Sequence, residues 1–228
     1  KKMHEKEKVE HFREKFRREF IPKGYSGPLH ILFNASILFA LSLYLFFQVR
    51  DVKAVELIVI PISLIAGNLT IFLIHRYPLH RRYKFIDKET YQVHTMSHHR
   101  FYTHEHYLAE KKEDLYALFF PPKVVVFFSF VFIPGLYFFL KIFLSHNLIF
   151  LTLGMGSTYF ILYEVVHYTS HLPENHWVCR IGHFKKMRQH HLDHHNPKYM
   201  HQYNFNIVFP LFDHVFRTYY KKLSSGIK

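Results

Sequence analysis

Residues 148–171 read LIFLTLGMGSTYFILYEVVHYTSH, and two features of that stretch decide the fold. Leu148 to Val166 is apolar apart from Glu164 near its end, and it runs without a break into His167-Tyr-Thr-Ser-His171. A helix needs roughly 17–25 residues to cross the hydrocarbon core of a bilayer, so the first part predicts a membrane span. Three further runs qualify: Leu29 to Val49, Ala54 to Ile74 (interrupted by Glu56 and Asn68), and Val124 to Leu140. Buried helices of a soluble protein are seldom this long and this apolar. The expected fold class is all-α, an integral membrane protein with four transmembrane helices.

Composition supports segregation. Of 228 residues, 49% are hydrophobic and 19% aromatic, yet the formal charge is +13 and the mean hydropathy only −0.06. Lys and Arg cluster to one side of the spans. The N-terminal segment to Lys23, residues 75–114 and residues 167–228 carry nine, eight and nine basic residues, against three on the opposite side. The positive-inside rule therefore places both termini and the long central loop in the cytoplasm, in an endoplasmic reticulum or bacterial inner membrane. The single cysteine, Cys179, excludes an intramolecular disulfide framework and a multi-thiolate metal site. No Gly-rich nucleotide loop occurs among the eight glycines. Nucleic-acid binding would account for the basic charge but not for four spans.

Ahead of the first span, Lys2 to Phe20 is strongly charged and unlike a cleavable signal peptide. Val9, Phe12, Phe16 and Phe20 recur at helical spacing, which predicts an amphipathic helix on the headgroups or docked on the body, with a purely solvated helix as the alternative. Pro22, Gly24 and Gly27-Pro28 turn the chain into the first span. The expected organisation is a basic N-terminal helix within residues 1–28 and a membrane domain over 29–228, with histidine boxes at 75–106 and 167–201.

Sixteen of the 21 histidines fall in those two box regions. The boxes are His75-Arg-Tyr-Pro-Leu-His80, His94-Thr-Met-Ser-His98-His99, His167-Tyr-Thr-Ser-His171 and His190-His191-Leu-Asp-His194-His195. Residues three or four apart project from one helix face, so His94 with His98, His167 with His171, and His191 with His194 and His195 read as convergent sets. His75 and His80 are five apart and would diverge on a regular helix, but Pro78 lies between them and perturbs the turn. Boxes one and three begin where two spans end, so all four can surround one volume at the membrane surface. Ten imidazoles exceed the four ligands of a tetrahedral zinc and suit two metal ions. Ligand type alone does not choose among Fe, Zn, Cu and Ni.

The boxes resemble those of the fatty acid hydroxylase and sterol desaturase superfamily, histidine-rich dimetal oxygenases of membranes. The resemblance runs from about residue 54 to 220. It is most specific at Gln189-His190-His191-Leu-Asp-His194-His195 and at the run from Asn206 to Thr218, which is similar to the family's Asp-x-x-Phe-Gly-Thr ending. It implies His75, His80, His94, His98, His99, His167, His171, His191, His194 and His195 as metal ligands. His190 also lies four before His194 and is an alternative to His191. Box two has three residues before its His-His pair where the family commonly has two, and Arg217 stands where the family often has Gly. Asp193 and Glu164 sit beside the boxes as possible partners of ligand N–H groups, and Asp213 is expected to orient the C-terminal segment.

The resemblance, not the spacing, implies a pair of iron ions, with zinc an expected substitute in purified recombinant protein. It implies a lipid hydroxylase that uses O2, with desaturation or aldehyde oxygenation as variants of the same chemistry. The substrate, a fatty acid or acyl lipid, is expected to enter from the bilayer. No haem or flavin motif is present, so electrons are expected from a separate protein. Two other classes compete: a metal transporter, which would place His or acidic groups at the midplane of the spans, and an inactive, zinc-binding membrane scaffold.

Overall fold

The computed structural model describes residues 5–83 and 88–221. It is helical, with no strand among the described residues. In chain order the main helices are α1 (Glu5–Glu19), α2 (Gly27–Phe47), α3 (Ala54–Leu79) and α4 (88–101), then α5 (Pro122–Leu140), α6 (His146–Ser170), α7 (Gly182–His194) and the short α8 (Leu211–Val215). Helices α2, α3, α5 and α6 are long and apolar enough to cross a membrane. They contain the four apolar runs of the sequence to within two or three residues. At 1.5 Å per residue, the 21 residues of α2 extend about 31 Å, which matches a core of about 30 Å.

The spans are built inside out relative to a soluble helix. In α2 the buried positions are His30, Asn34, Leu38, Ser42 and Leu45, three or four apart, while Leu29, Leu32, Phe39, Tyr44 and Phe47 are exposed. Lipid makes apolar exposure free, so small and polar residues move to helix contacts, where their hydrogen bonds are met. Ser42 Oγ lies 2.9 Å from Ser157 Oγ of α6, and Asn34 Nδ2 donates to the Phe120 carbonyl at 2.9 Å. A Cβ at Gly154 or Gly67 would meet the rings of Phe46 and Tyr159 at 2.8 Å, so these glycines set the close approach of neighbouring helices. Helix α6 is more than half buried, against at most 28% for the other three spans. Its central place explains why its sequence is the least hydrophobic of the four.

The chain divides into two compact units, one of Lys1–Glu14, Asn68–Leu108 and Thr169–Lys228, the other of Lys15–Gly67 and Ala109–Tyr168. The second unit contains α2, the first half of α3, α5 and most of α6, with a core of Leu45, Ile133, Ile149, Phe150 and Leu153. The first unit holds the end of α3, α4, α7 and α8. Helix α1 docks through both its faces. Arg13 is fully buried, donating to the Leu108 carbonyl at 3.1 Å and stacking over Phe101. Phe16 packs against Tyr116, and Arg17 binds Asp114 through both carboxylate oxygens. The apolar stripe forms as expected, except that Phe20 at its end is exposed. Residues 2–4, where the expected helix begins, lie outside the described residues.

Candidate metal centre

Two departures from α-helical geometry build the site. Helix α3 ends in a π-helical turn over His75–Leu79 that includes Pro78, and α4 contains another over Gln92–His98. A π turn bonds i to i+5, so residues five apart stack over one another. His75 with His80 and His94 with His99 are therefore the pairs that converge, and the His99 N–H bonds directly to the His94 carbonyl. The i, i+4 pairing of His94 with His98 that the sequence suggests gives way to this one.

Nine of the ten expected ligands gather into two buried groups, within each of which the candidate ligand nitrogens lie within 4.8 Å of one another. The first is His75, His80, His94, His99 and His194; the second is His98, His171, His191 and His195. On α7 the box splits: His191 and the adjoining His195, four apart, face the second group, whereas His194 faces the first. His167 belongs to neither group; it is buried one turn before His171 and its ring lies 5.5 Å from Tyr163.

The proton positions show what the groups are for. The Nδ1 atom of His75 lies 2.5 Å from the Phe205 carbonyl, that of His194 2.8 Å from Tyr203, and that of His171 2.6 Å from Tyr107. His195 Nδ1 meets the Tyr102 carbonyl in the same way. A carbonyl only accepts, so Nδ1 carries the proton and the neutral ring turns a bare lone pair inward at Nε2. Thr95 donates its hydroxyl proton to Leu79 at 2.6 Å and leaves its oxygen facing His80 Nδ1, which fixes His80 alike. Yet His80 Nε2 and His194 Nε2 approach to 2.9 Å with no proton between them.

Within the first group the other Nε2 contacts are 2.9 Å for His75–His94, 3.2 Å for His80–His94 and 3.1 Å for His94–His99. In the second they are 3.1 Å for His171–His191, 3.0 Å for His191–His195 and 3.2 Å for His98–His195. Adjacent nitrogens at a metal–N distance of about 2.0–2.1 Å stand about 2.9 Å apart in an octahedral and about 3.3 Å apart in a tetrahedral arrangement. The donor sets therefore fit one transition-metal ion each, and at His80–His194 two lone pairs face each other, an arrangement that a cation between them would reconcile.

Burial tunes the ligands toward that role. His80, His94, His99, His194 and His195 are held well below the usual histidine range, first by desolvation and then by neighbouring imidazoles. Burial alone brings His171 down to about 3. All are neutral at physiological pH, the form that binds metal.

Asp213 supports the site from outside. Fully buried, it accepts from the backbone N–H groups of Phe205 (2.9 Å) and Asn206 (2.8 Å), the Thr218 hydroxyl (2.7 Å) and His190 Nε2 (3.0 Å). It thus fixes the backbone whose Phe205 carbonyl orients His75. The other residues expected at the periphery sit elsewhere. His190 is the partner of Asp213, Asp193 binds Gln189 at 2.9 Å, and Glu164 accepts from the Phe120 N–H at 3.2 Å. Four of the groups that receive ligand protons are backbone carbonyls, which have no sequence signature. His201, whose ring lies 5.4 Å from His80, also escapes a reading based on boxes.

No protein-family model matches the chain, and no curated protein matches it. A solved structure described as full-length scs7p, with only the hydroxylase domain visible, superposes on 84% of this chain at a TM-score of 0.59 and 18% identity. The chain has the fold of the Scs7p hydroxylase domain. It spans 66% of the length of that Scs7p structure. At this identity the likeness to Scs7p is one of fold, and the two histidine groups are the features of this chain that bear on its chemistry.

Proposed function

We propose that this chain is a membrane-bound lipid hydroxylase of the fatty acid hydroxylase and sterol desaturase superfamily. The observation that carries the reading is the pair of buried, all-imidazole groups whose Nε2 atoms converge at 2.9–3.2 Å, in a chain with the fold of a hydroxylase domain. Each group would hold one iron ion; His167, which the resemblance implies as a tenth ligand, lies in neither group. Two iron ions so held would supply the redox chemistry that oxygenation of a C–H bond with O2 requires.

The protein's own part is positional. Carbonyls of Phe205, Tyr203, Tyr107 and Tyr102 hold the protons of four imidazoles at Nδ1 and aim Nε2 inward. Burial of the nine ligands excludes bulk water and keeps them neutral. Neutral ligands leave the full cationic charge at the centre, which suits anionic or electron-rich partners.

The reading extends to a fatty acid or acyl lipid entering from the bilayer and to a separate electron-transfer protein that docks on the basic side. That side is the cytoplasm by the positive-inside rule, in an endoplasmic reticulum or bacterial inner membrane. Residues 29–228 form the membrane domain, and the same imidazole sites accept zinc in place of iron in purified protein.

The test is lipid mass spectrometry of host cells producing the wild type or the His98→Ala, His99→Ala variant, with iron content measured in parallel. A species heavier by one oxygen, present only with the wild type, is the expected result. A species lighter by two hydrogens would assign desaturation instead. Equal lipid profiles with iron bound and a donor supplied would overturn the oxygenase reading in favour of a scaffold.

A further inference from the structure

Asn68 is the one amide inside the second apolar run, and its partners lie in an unexpected place. Its Nδ2 donates to the Phe209 carbonyl at 2.9 Å, and its main-chain carbonyl accepts from Asn206 Nδ2 at 3.0 Å. One turn further on, Phe72 stacks on Phe216 with ring centroids 5.0 Å apart and packs edge-on against Phe205. The segment 205–216 is thus fastened along α3, a membrane span.

The depth follows from the helix rise. Asn68 is fourteen residues after Ala54; with a 3-10 turn over Ala54–Ile58 and α-helix after it, this is about 23 Å along α3, which leaves about 7 Å of a 30 Å hydrocarbon core beyond it. The attached segment exposes Phe209, Leu211, Val215 and Phe216, between 42% and 60% each. Its only formally charged residue, Asp213, is fully buried, and the first exposed charge after it is Arg217.

Non-helical backbone enters a bilayer only where its polar groups find partners within the protein. Here Asn206 Oδ1 accepts from the N–H groups of Phe212 (2.9 Å) and Asp213 (3.3 Å), Asp213 accepts from those of Phe205 and Asn206, and Pro210 brings no N–H. We propose that residues 205–216 form a re-entrant element, in which Phe209, Leu211, Val215 and Phe216 insert into the acyl chains of the leaflet at the histidine end of α3. Arg217 then reaches back to the headgroups, in the manner of long basic side chains at a membrane boundary.

Trp177 is the one tryptophan of the chain, so replacing it by Phe gives a silent background for fluorescence. Phe209→Trp and Val215→Trp are placed separately in that background, with Ile65→Trp, exposed on α3, as the reference for a lipid-facing span. Each metal-loaded, monodisperse variant is reconstituted in phosphatidylcholine vesicles with or without mid-chain bromine, and iodide is added from the aqueous side. Insertion gives blue-shifted emission and bromolipid quenching at 209 and 215 comparable to that at 65, with little quenching by iodide. Water-like emission quenched by iodide and not by bromolipid at both positions, with 65 quenched by bromolipid, overturns the insertion and leaves the spans intact. Loss of bromolipid quenching at 65 as well overturns the membrane reading and the insertion together.

Discussion

Replacing Asp213 should strip metal from one histidine group and spare the other. Asp213→Ala removes the acceptor of three buried N–H donors (Phe205, Asn206 and His190) and of the Thr218 hydroxyl. A buried donor left without a partner costs about 1–3 kcal/mol, so the three N–H groups together cost about 3–9 kcal/mol, against a typical total stability of about 5–15 kcal/mol. The alanine variant is therefore expected to fold poorly. Asp213→Asn is the sharper probe. It keeps the size and one acceptor oxygen but sets an NH2 against an existing donor, and roughly half that cost is expected. The displaced backbone carries the Phe205 carbonyl, with Tyr203 close by, and these orient His75 and His194 of the first group. The acceptors of the second group, Tyr102 and Tyr107, lie in another segment. Losing such an outer partner typically weakens metal binding about 10–100-fold. Metal counting on folded Asp213→Asn protein, titrated with a chelator, should show one ion leaving at lower chelator concentration than in the wild type and the other unchanged. Equal weakening of both ions, or of neither, would refute the reasoning.

Three further outcomes follow from the geometry. His99→Ala should weaken the first ion and His98→Ala the second, although the two residues are adjacent, and metal counting on the pair decides it. Metal-free protein should lose stability as pH falls below about 6.5, because the unfolded chain takes up protons there while the buried histidines do not. For His171, with its pKa brought down to about 3, that loss runs at about 1.4 kcal/mol per pH unit between those values, and thermal melting across pH 4–7 with no such slope would contradict the burial argument. Arg217 has φ +58°, in the left-handed region, so Arg217→Gly should stabilise the protein by about 1 kcal/mol; a lower melting temperature would show that the Arg217 side chain matters more than its backbone strain.

The left-handed backbone at Arg217 also gives a reason for the glycine that the related motif often carries there. The adjoining Asp213, read from the sequence only as a residue that orients the C-terminal segment, binds that segment's backbone, supports the carbonyl that orients His75 and holds His190. His190 could not be told from His191 by spacing alone, since both precede His194 at helical intervals; the hydrogen bond to Asp213 sets it apart. Val9, Phe12 and Phe16 announced the N-terminal helix, but nothing in their pattern foretold that Arg13, on its charged side, would be fully buried.

The sequence by itself determined the four spans and the clustering of histidines, because both depend on local properties: run length against bilayer thickness, and residue type against metal chemistry. Which histidines come together was decided by tertiary structure. The pairs His75–His80 and His94–His99 converge only because two helices locally adopt a π turn, whose i to i+5 spacing a regular 3.6-residue period does not contain. The orienting acceptors are main-chain carbonyls of Tyr102, Tyr107, Tyr203 and Phe205, and every residue has a carbonyl, so composition cannot mark them. Asn68 makes the same point within a span: its type signalled a polar exception among apolar residues, but only the folded chain brings the Phe209 carbonyl, 141 positions away, to its amide N–H.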